Sequence, residues 1–224
     1  MDTLADLGVM GVEMSTMLQF RQPAFCKHHA MRRWVHRRLG TIEHEDRVVQ
    51  IAGQLLRLTA GRHRLISADL RLLGLAAIVH DVGRSVNDET HPREGARMLL
   101  REPRLPINDD ERRWLAYLTR YHRGSVPELG HDGMLRRSDP KARLFLLLAF
   151  LRAADALDSR SAETPQLDYS LQGRKLRVFC HLEDPTAKVC RVYTRRKKFR
   201  LLEELLHLRV DVRIVTKVGS AVAA

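Results

Sequence analysis

The feature that most constrains this chain is a series of apolar helical stripes that each continue into a histidine or an aspartate. Four residues stand at helical spacing from the apolar residues of their own segment: His44, His80, His122 and Asp155. Residues three or four apart share one face of a helix, so each of these side chains should point inward with its stripe. The pattern predicts a helical bundle with ligand-type side chains in its interior.

The apolar periodicity predicts successive helices from about residue 44 to residue 158. The stripes cover residues 48–58, 70–77, 98–100, 114–118 and 144–151. Such repeated 3.6-residue patterning is typical of an all-α core. Residues 1–40 also read as helical, with Pro23 as a break, and we expect this extension to serve packing or a homodimer contact.

The pattern changes near Pro165. Residues 167–171 and 176–180 alternate like a β-hairpin around Gln172-Gly173, a helix is predicted from about 194 to 208, and residues 210–215 alternate as a last strand. The predicted fold class is mainly α, a helical bundle with a small C-terminal α+β appendage made of a short antiparallel sheet plus a helix. The predicted divisions are 1–40, 41–164, 165–218 and a flexible tail at 219–224.

Composition narrows the expected cellular location and the expected binding partners of the protein. The chain has 39 Lys+Arg against 27 Asp+Glu, a net charge of +12, which either attracts polyanions or reflects an arginine-rich coding bias. It has no apolar run near the ~18–20 residues of a membrane span and no signal pattern. Three cysteines without a C-x-x-C pair argue against a disulfide framework. We therefore expect a cytoplasmic protein without a membrane partner.

Buried histidine and aspartate side chains need partners, because an unpaired buried charge is costly. Imidazole and carboxylate groups are ordinary ligands of Mn, Fe, Co, Ni or Zn, with Mg as a further option, so one or two divalent metals would satisfy them together. Adjacent helical residues project about 100° apart, so His80 and Asp81 reach one centre only near a helix end. Gly83, as a helix stop, places that end beside an open loop where substrate can enter.

The order and motifs of these residues resemble those of a known superfamily. His44, then the string His80-Asp81-Val82-Gly83, then Asp155 are similar to the HD-domain metal-dependent phosphohydrolases over roughly residues 40–160. The string at residues 91–96, His-Pro-Arg-Glu-Gly-Ala, resembles that of HD-GYP phosphodiesterases, and His122 resembles the extra histidine of binuclear members. The resemblance implies that a first metal is held by His44, His80, Asp81 and Asp155, and a second by Asp81, His91 and His122.

A narrower resemblance extends further along the chain. Residues 120–123, Arg-Tyr-His-Arg, and 151–158, Leu-Arg-Ala-Ala-Asp-Ala-Leu-Asp, followed by the α+β tail, are similar to the C-terminal half of the exopolyphosphatase/guanosine pentaphosphatase family from about 44 to 215. In that family the phosphatase site is attributed to an N-terminal actin-like domain that a chain of this length cannot also hold. This closer match therefore implies a fold but does not carry an activity.

Phosphoryl chemistry also needs cations around the phosphate oxygens. Arg84, directly after the His-Asp-Val-Gly string, is the strongest candidate and is assigned to catalysis together with Asp81. Further candidate substrate-binding residues are Arg123, Arg152, Arg160 and the basic run Arg195, Arg196, Lys197 and Lys198. Asp158, three residues after Asp155, is placed to orient a ligand.

Three functions are compatible with the sequence. The first is a metal-dependent phosphohydrolase, an enzyme acting on a nucleotide or a polyphosphate-like ester or anhydride. The second is a non-catalytic module that binds polyphosphate or nucleotide. The third is a di-iron oxygenase, because similar ligand sets serve some HD-fold oxygenases. A phosphate-rich small molecule or polyphosphate is favoured over nucleic acid as the partner, because no groove-reading motif accompanies the charge.

Overall fold

The computed structural model describes residues 27–128, 132–160, 162–183 and 186–216. The helical prediction for residues 1–26 and the flexible tail predicted at 219–224 lie outside the described residues. Within the described ranges, no helix combines the length and the apolar character that crossing a membrane requires.

The larger part of the molecule is helical. Its helices are α1 over residues 27–39, α2 Glu43–Leu58, α3 Ser67–Val79, α4 His91–Arg101, α5 Asp109–Tyr121 and α6 Lys141–Ala156. Short 3-10 turns at Ala60–Arg62 and Val82–Ser85 lie after α2 and α3. The mainly α fold with a small C-terminal sheet and helix is thus confirmed.

Local sequence signals explain where several helices begin. Asn108 caps α5, because its side chain accepts a hydrogen bond from the Glu111 backbone N–H at 2.8 Å while the Glu111 carboxylate accepts from the Asn108 N–H at 3.0 Å. Asp69 accepts from the Ile66 N–H at 2.8 Å at the start of α3. Pro92 stands in the first turn of α4, where a missing N–H costs nothing.

Helix α6 is the centre of the bundle. Its residues 147–151 are completely buried, and it packs against α2, α3 and α5. A helix that is apolar all round is stable only inside such a shell of neighbours. Asp155 lies in the last turn of this central helix, where its carboxylate is buried among the surrounding helix ends.

The C-terminal part forms a three-stranded sheet with a helical connection. Its elements are β1 Gln166–Gln172, β2 Lys175–Leu182, α7 Ala187–Tyr193, a 3-10 turn at Arg196–Lys198, α8 Arg200–Leu206 and β3 Arg209–Thr216. The strand order is β1-β2-β3, with β1 antiparallel and β3 parallel to β2. The alternating inner residues of β2 are buried, and α8 packs against α6.

Two details of the predicted appendage were wrong. The sheet is mixed rather than antiparallel, because the helical connection returns the chain to the starting end of β2 before β3 begins. The single helix predicted over 194–208 is a 3-10 turn followed by α8, which begins at Arg200. Consecutive cations in a first helical turn oppose the helix dipole, which explains why the basic run does not open the helix itself.

Helix α4 lies against the 3-10 turn through two glycines. A Cβ on Gly83 would come closer than 3.0 Å to the His91 carbonyl oxygen and to the Gly95 backbone nitrogen. A Cβ on Gly95 would lie 2.9 Å from Cγ2 of Thr119 on α5. Helix α3 ends at Val79, so His80 and Asp81 stand at a helix end as predicted, but Gly83 lies in the 3-10 turn and lacks the positive φ of a glycine helix stop. Its role is the close backbone approach that brings His91 toward Asp81.

We predict that Gly83→Ala lowers the free energy of unfolding by at least about 1 kcal/mol, because the new methyl group meets backbone atoms that cannot move aside as a flexible side chain can. Chemical denaturation followed by circular dichroism measures the change. Gly74→Ala is the matched control: it lies within α3 with nothing within 4 Å of the added Cβ, so alanine should be neutral or slightly stabilising there. Equal stability of the Gly83→Ala variant and the wild type would contradict the packing argument.

Candidate metal centre

The ends of five helices meet at one buried cluster. It contains all six side chains predicted as ligands: His44 of α2, His80 and Asp81 after α3, His91 of α4, His122 after α5 and Asp155 of α6. None of the six is more than 9% exposed. The helical stripes therefore bring together residues that are far apart in the sequence.

One half of the cluster is formed around His44 and His80. Their Nε2 atoms lie 3.3 Å apart, and each is 3.7 Å from Oδ1 of Asp155. The carboxylate of Asp81 approaches both rings, with Oδ2 3.8 Å from His44 Nε2 and Oδ1 3.7 Å from His80 Nε2. Four residues on three helical segments thus surround one small volume.

The other half is formed around His91 and His122. Their Nε2 atoms lie 3.3 Å apart, and Oδ1 of Asp81 is 3.1 Å from His91 Nε2 and 3.4 Å from His122 Nε2. Two groups of three residues, His44, His80 and Asp81 and then Asp81, His91 and His122, have side-chain atoms close enough together that each group could hold a metal ion, and they share Asp81. A shared carboxylate is the arrangement expected of a ligand that bridges two cations.

Hydrogen bonds fix the orientation of all four imidazole rings. Nδ1 of His44 lies 2.6 Å from the carboxylate of Asp158, and Nδ1 of each other ring lies 2.6–2.7 Å from a backbone carbonyl. The carbonyl oxygens belong to Ala77, Asp88 and Thr119. These oxygens can only accept, so Nδ1 is the donor in each pair, and a ring that carries a single proton presents its Nε2 lone pair to the centre. Metal-binding histidines commonly donate their other ring N–H to a carboxylate or a backbone carbonyl in this way.

The residues present fit a cation. Two Nε2 lone pairs at 3.3 Å cannot bond to each other, and protonating both would place two positive charges side by side in a buried site. Oδ1 of Asp81 is buried and has no hydrogen-bond partner among the described residues. A cation would coordinate the nitrogens and the orphaned oxygen at once, and the nitrogen and oxygen donors suit Mn, Fe, Co, Ni or Zn.

The pKa values of two histidines in the cluster shift in opposite directions. Burial lowers the pKa of His80, but the carboxylates of Asp81 and Asp155 outweigh burial and raise it to about 9. Burial lowers the pKa of His122 to about 4. For Asp81 and Asp155, burial raises the pKa, but the neighbouring imidazoles outweigh it and hold both values well below the usual range. The negative charge that favours a proton on His80 also favours a metal cation.

Comparison with known protein families matches most of the chain. A family model described as Ppx/GppA phosphatase, domain III, matches residues 40–207, three quarters of the chain. The chain belongs to the Ppx/GppA phosphatase family. The resemblance predicted from the sequence is confirmed at this level. A search among curated proteins finds no match.

In this Ppx/GppA domain III, cations hold the outer oxygens of both central carboxylates. Arg84 Nε and Arg160 Nε donate to Oδ2 of Asp81 at 2.6 and 3.0 Å, and Lys198 Nζ donates to Oδ2 of Asp155 at 3.0 Å. The other oxygen of each carboxylate is thereby left to face the imidazoles. Arg84, predicted to contact phosphate, and Arg160 both lie where they orient a ligand.

Two residues of the centre escaped sequence reasoning in these roles. Lys198 was predicted as part of an outer basic run, and no periodicity connects it with Asp155 because it comes from the C-terminal unit. Glu45 is completely buried next to His44 and pairs with Arg160. The feature of the sequence that could have identified Glu45 is its position directly after the predicted ligand His44.

The remaining predicted cations lie around the centre. Arg123 lines an open cavity of about 430 Å³ together with His91, Arg93 and Arg120. Arg152 donates to the carbonyls of Tyr121 and Gly124 at 2.6 and 3.0 Å, and with Lys197 it lines a second cavity of about 590 Å³. Arg196 pairs with Glu203, and Arg195 has no ion-pair partner among the described residues. The residues of the basic run therefore have different contacts: Lys198 binds Asp155, Lys197 lines a cavity and Arg196 pairs with Glu203.

We predict that Asp158→Asn weakens divalent metal binding by about 10–100-fold, because the amide no longer supplies the charged acceptor for Nδ1 of His44. Titration calorimetry with Mn²⁺ or Zn²⁺ measures the affinity. Asp168→Asn is the matched control, since that exposed carboxylate of β1 pairs with His181 and lies outside the cluster. Unchanged affinity in a folded Asp158→Asn variant would contradict a ligand role for His44.

Proposed function

We propose that this protein is a metal-dependent phosphohydrolase that cleaves a phosphate ester or anhydride of the nucleotide or polyphosphate type. The observation that carries the proposal is the pair of ligand groups that share Asp81, with four Nε2 atoms converging on them. Membership of a phosphatase family supports the same class of reaction.

In this proposal His44, His80, Asp81 and Asp155 hold one cation, and Asp81, His91 and His122 hold the other. Divalent ions bound there would supply a Lewis acid for phosphoryl oxygens and a water of lowered pKa. Asp158 keeps the His44 ring in the tautomer that presents Nε2. Arg84 and Arg160 keep Oδ1 of Asp81 turned toward the histidines, and Lys198 does the same for Oδ1 of Asp155.

We place the phosphate-bearing substrate in the cavity that His91 lines. Arg93, Arg120 and Arg123 stand around it, and none of the three has an ion-pair partner among the described residues. Free guanidinium groups bind phosphate oxygens with charge-assisted, often bidentate, hydrogen bonds. Asp88 and Glu89 on the same rim would repel a phosphate chain. We therefore expect the substrate to lie along the side of the cavity that the three arginines form.

A second candidate function is binding without turnover. The family match is to domain III, one part of the Ppx/GppA phosphatases, and the cavity lined by Arg152, Lys197 and Arg200 offers cations outside the cluster. Such a module would bind polyphosphate or nucleotide in a salt-sensitive way. The two candidates differ in whether metal-loaded protein releases phosphate.

We predict that protein loaded with Mn²⁺, Co²⁺ or Fe²⁺ hydrolyses at least one member of a panel of nucleotides, nucleotide esters and polyphosphates. Asp81→Asn should lower the rate by at least about 10²–10³-fold and lower the bound metal, because both groups of ligands lose their shared charge. Phosphate release and metal content by mass spectrometry measure the two effects.

The control is Asp168→Asn, which should leave both the rate and the metal content unchanged. Chelation should abolish the activity, and added metal should restore it. A wild type that holds two metals but hydrolyses nothing in the panel would contradict the phosphohydrolase and favour the binding module.

A further inference from the structure

Two arginines donate to the same oxygen of Asp81, but their outer ends lie in different environments. Arg84 Nε and Arg160 Nε both donate to Oδ2 of Asp81. Nη2 of Arg160 pairs with Glu45, whose side chain is completely buried, so this end is closed. Nη1 of Arg84 pairs with Asp88, whose side chain is 77% exposed. Arg84 is therefore the arginine of the centre whose outer partner can leave without disturbing the core.

The backbone around Asp88 is held in place independently of the Asp88 side chain. The Asp88 carbonyl oxygen accepts a hydrogen bond from Nδ1 of His91 at 2.6 Å. Oδ1 of Asn87 accepts from the two backbone N–H groups that follow Asp88, both at 2.9 Å. The Asp88 carboxylate can consequently turn away from Arg84 while the loop and the His91 ring keep their positions.

Asp88 also connects Arg84 with the cavity in which we place the substrate. Asp88 lines that cavity, and its carboxylate contacts Nη1 of Arg84. Nη2 of Arg84 makes no hydrogen bond within the described part of the chain. Guanidinium groups bind carboxylate and phosphate oxygens through the same charged hydrogen bonds. An exposed ion pair contributes little to stability, so exchanging one anion for another on Arg84 costs little.

We infer that the Asp88 carboxylate and a phosphoryl group of the substrate compete for Arg84, so that a phosphoryl group in the cavity displaces Asp88 and binds the freed guanidinium. Nε of Arg84 keeps its hydrogen bond to Asp81 during this exchange, because Nε and the two Nη atoms are separate donors. Asp88 is then a residue that tunes affinity, acting through Arg84. The inference rests on the proposed function, because it uses the cavity in which that proposal places the substrate.

The structure also allows an opposite role, in which Asp88 holds Arg84 against Asp81. In that case, removing the Asp88 charge would loosen Arg84 and weaken the binding of both metal and phosphate. Competition predicts tighter phosphate binding and unchanged metal binding. The two roles therefore differ in the sign of the change in phosphate affinity.

The test is binding of inorganic phosphate to the full chain by titration calorimetry, performed with Mn²⁺ and again in EDTA. Asp88→Asn should bind phosphate about three- to fivefold more tightly in both conditions, because a neutral amide competes less well for Arg84. Its Mn²⁺ affinity should change by less than about twofold, because Asp81 keeps its bond from Arg84. The matched control, Glu89→Gln, removes the same charge from a neighbouring exposed rim residue, and phosphate affinity should change by less than about twofold.

The same substitution in an Arg84→Gln background separates competition from long-range charge. Arg84→Gln alone should weaken phosphate binding by about tenfold, because charged hydrogen bonds to phosphate are lost. In that background Asp88→Asn should change phosphate affinity by less than about twofold, since the group for which the two anions compete is gone. Circular dichroism establishes that each variant is folded.

Several results would overturn the inference. Asp88→Asn could bind phosphate no more tightly than the wild type, or neither protein could bind phosphate. Weaker binding of both phosphate and Mn²⁺ would assign Asp88 to holding Arg84 in place. An equal gain in Glu89→Gln, or a full gain without Arg84, would mean that only the net charge of the rim matters. Failure of the proposed function is a distinct result, because it is the absence of phosphate release, whereas these titrations need no turnover.

Discussion

The centre depends on one buried carboxylate whose two oxygens meet opposite environments. Oδ2 of Asp81 is held by Arg84 and Arg160, and Oδ1 faces Nε2 of His91 and His122 without a hydrogen bond. A buried carboxylate is stable only with such partners. This position requires that α4 approach the turn after α3, an approach that Gly83 and Gly95 permit because they lack side chains.

The positive charge of the chain has several separate uses. Arg84, Arg160 and Lys198 neutralise carboxylates at the centre, where they act on the ligands rather than on solvent. Other arginines, such as Arg33 on α1 and Arg123, line cavities and have no ion pair with a carboxylate among the described residues. The net charge of +12 is therefore divided between cations that neutralise carboxylates inside the centre and exposed cations, which we propose attract phosphate.

Helical periodicity was sufficient to predict the bundle and four residues of the cluster, His44, His80, His122 and Asp155, because each continues the apolar face of its own helix. Asp81 followed from its place beside His80 near a helix end, and His91 was predicted only from the family resemblance. The same reasoning could not place Lys198 against Asp155, since that contact joins two parts of the fold. It also could not predict that β3 runs parallel to β2, because strand direction depends on the path of α7 and α8. The close approach at Gly83 is likewise a tertiary property, which a local interpretation of this glycine as a helix stop could not predict.

The central claim is that the cluster holds two cations bridged by Asp81. Anomalous diffraction from crystals grown with Mn²⁺, collected at an energy where manganese scatters anomalously, tests it most directly. The account predicts two peaks, one among His44, His80 and Asp155 and one between His91 and His122, with Asp81 contacting both. Fully ordered side chains with no anomalous peak at either position would contradict it.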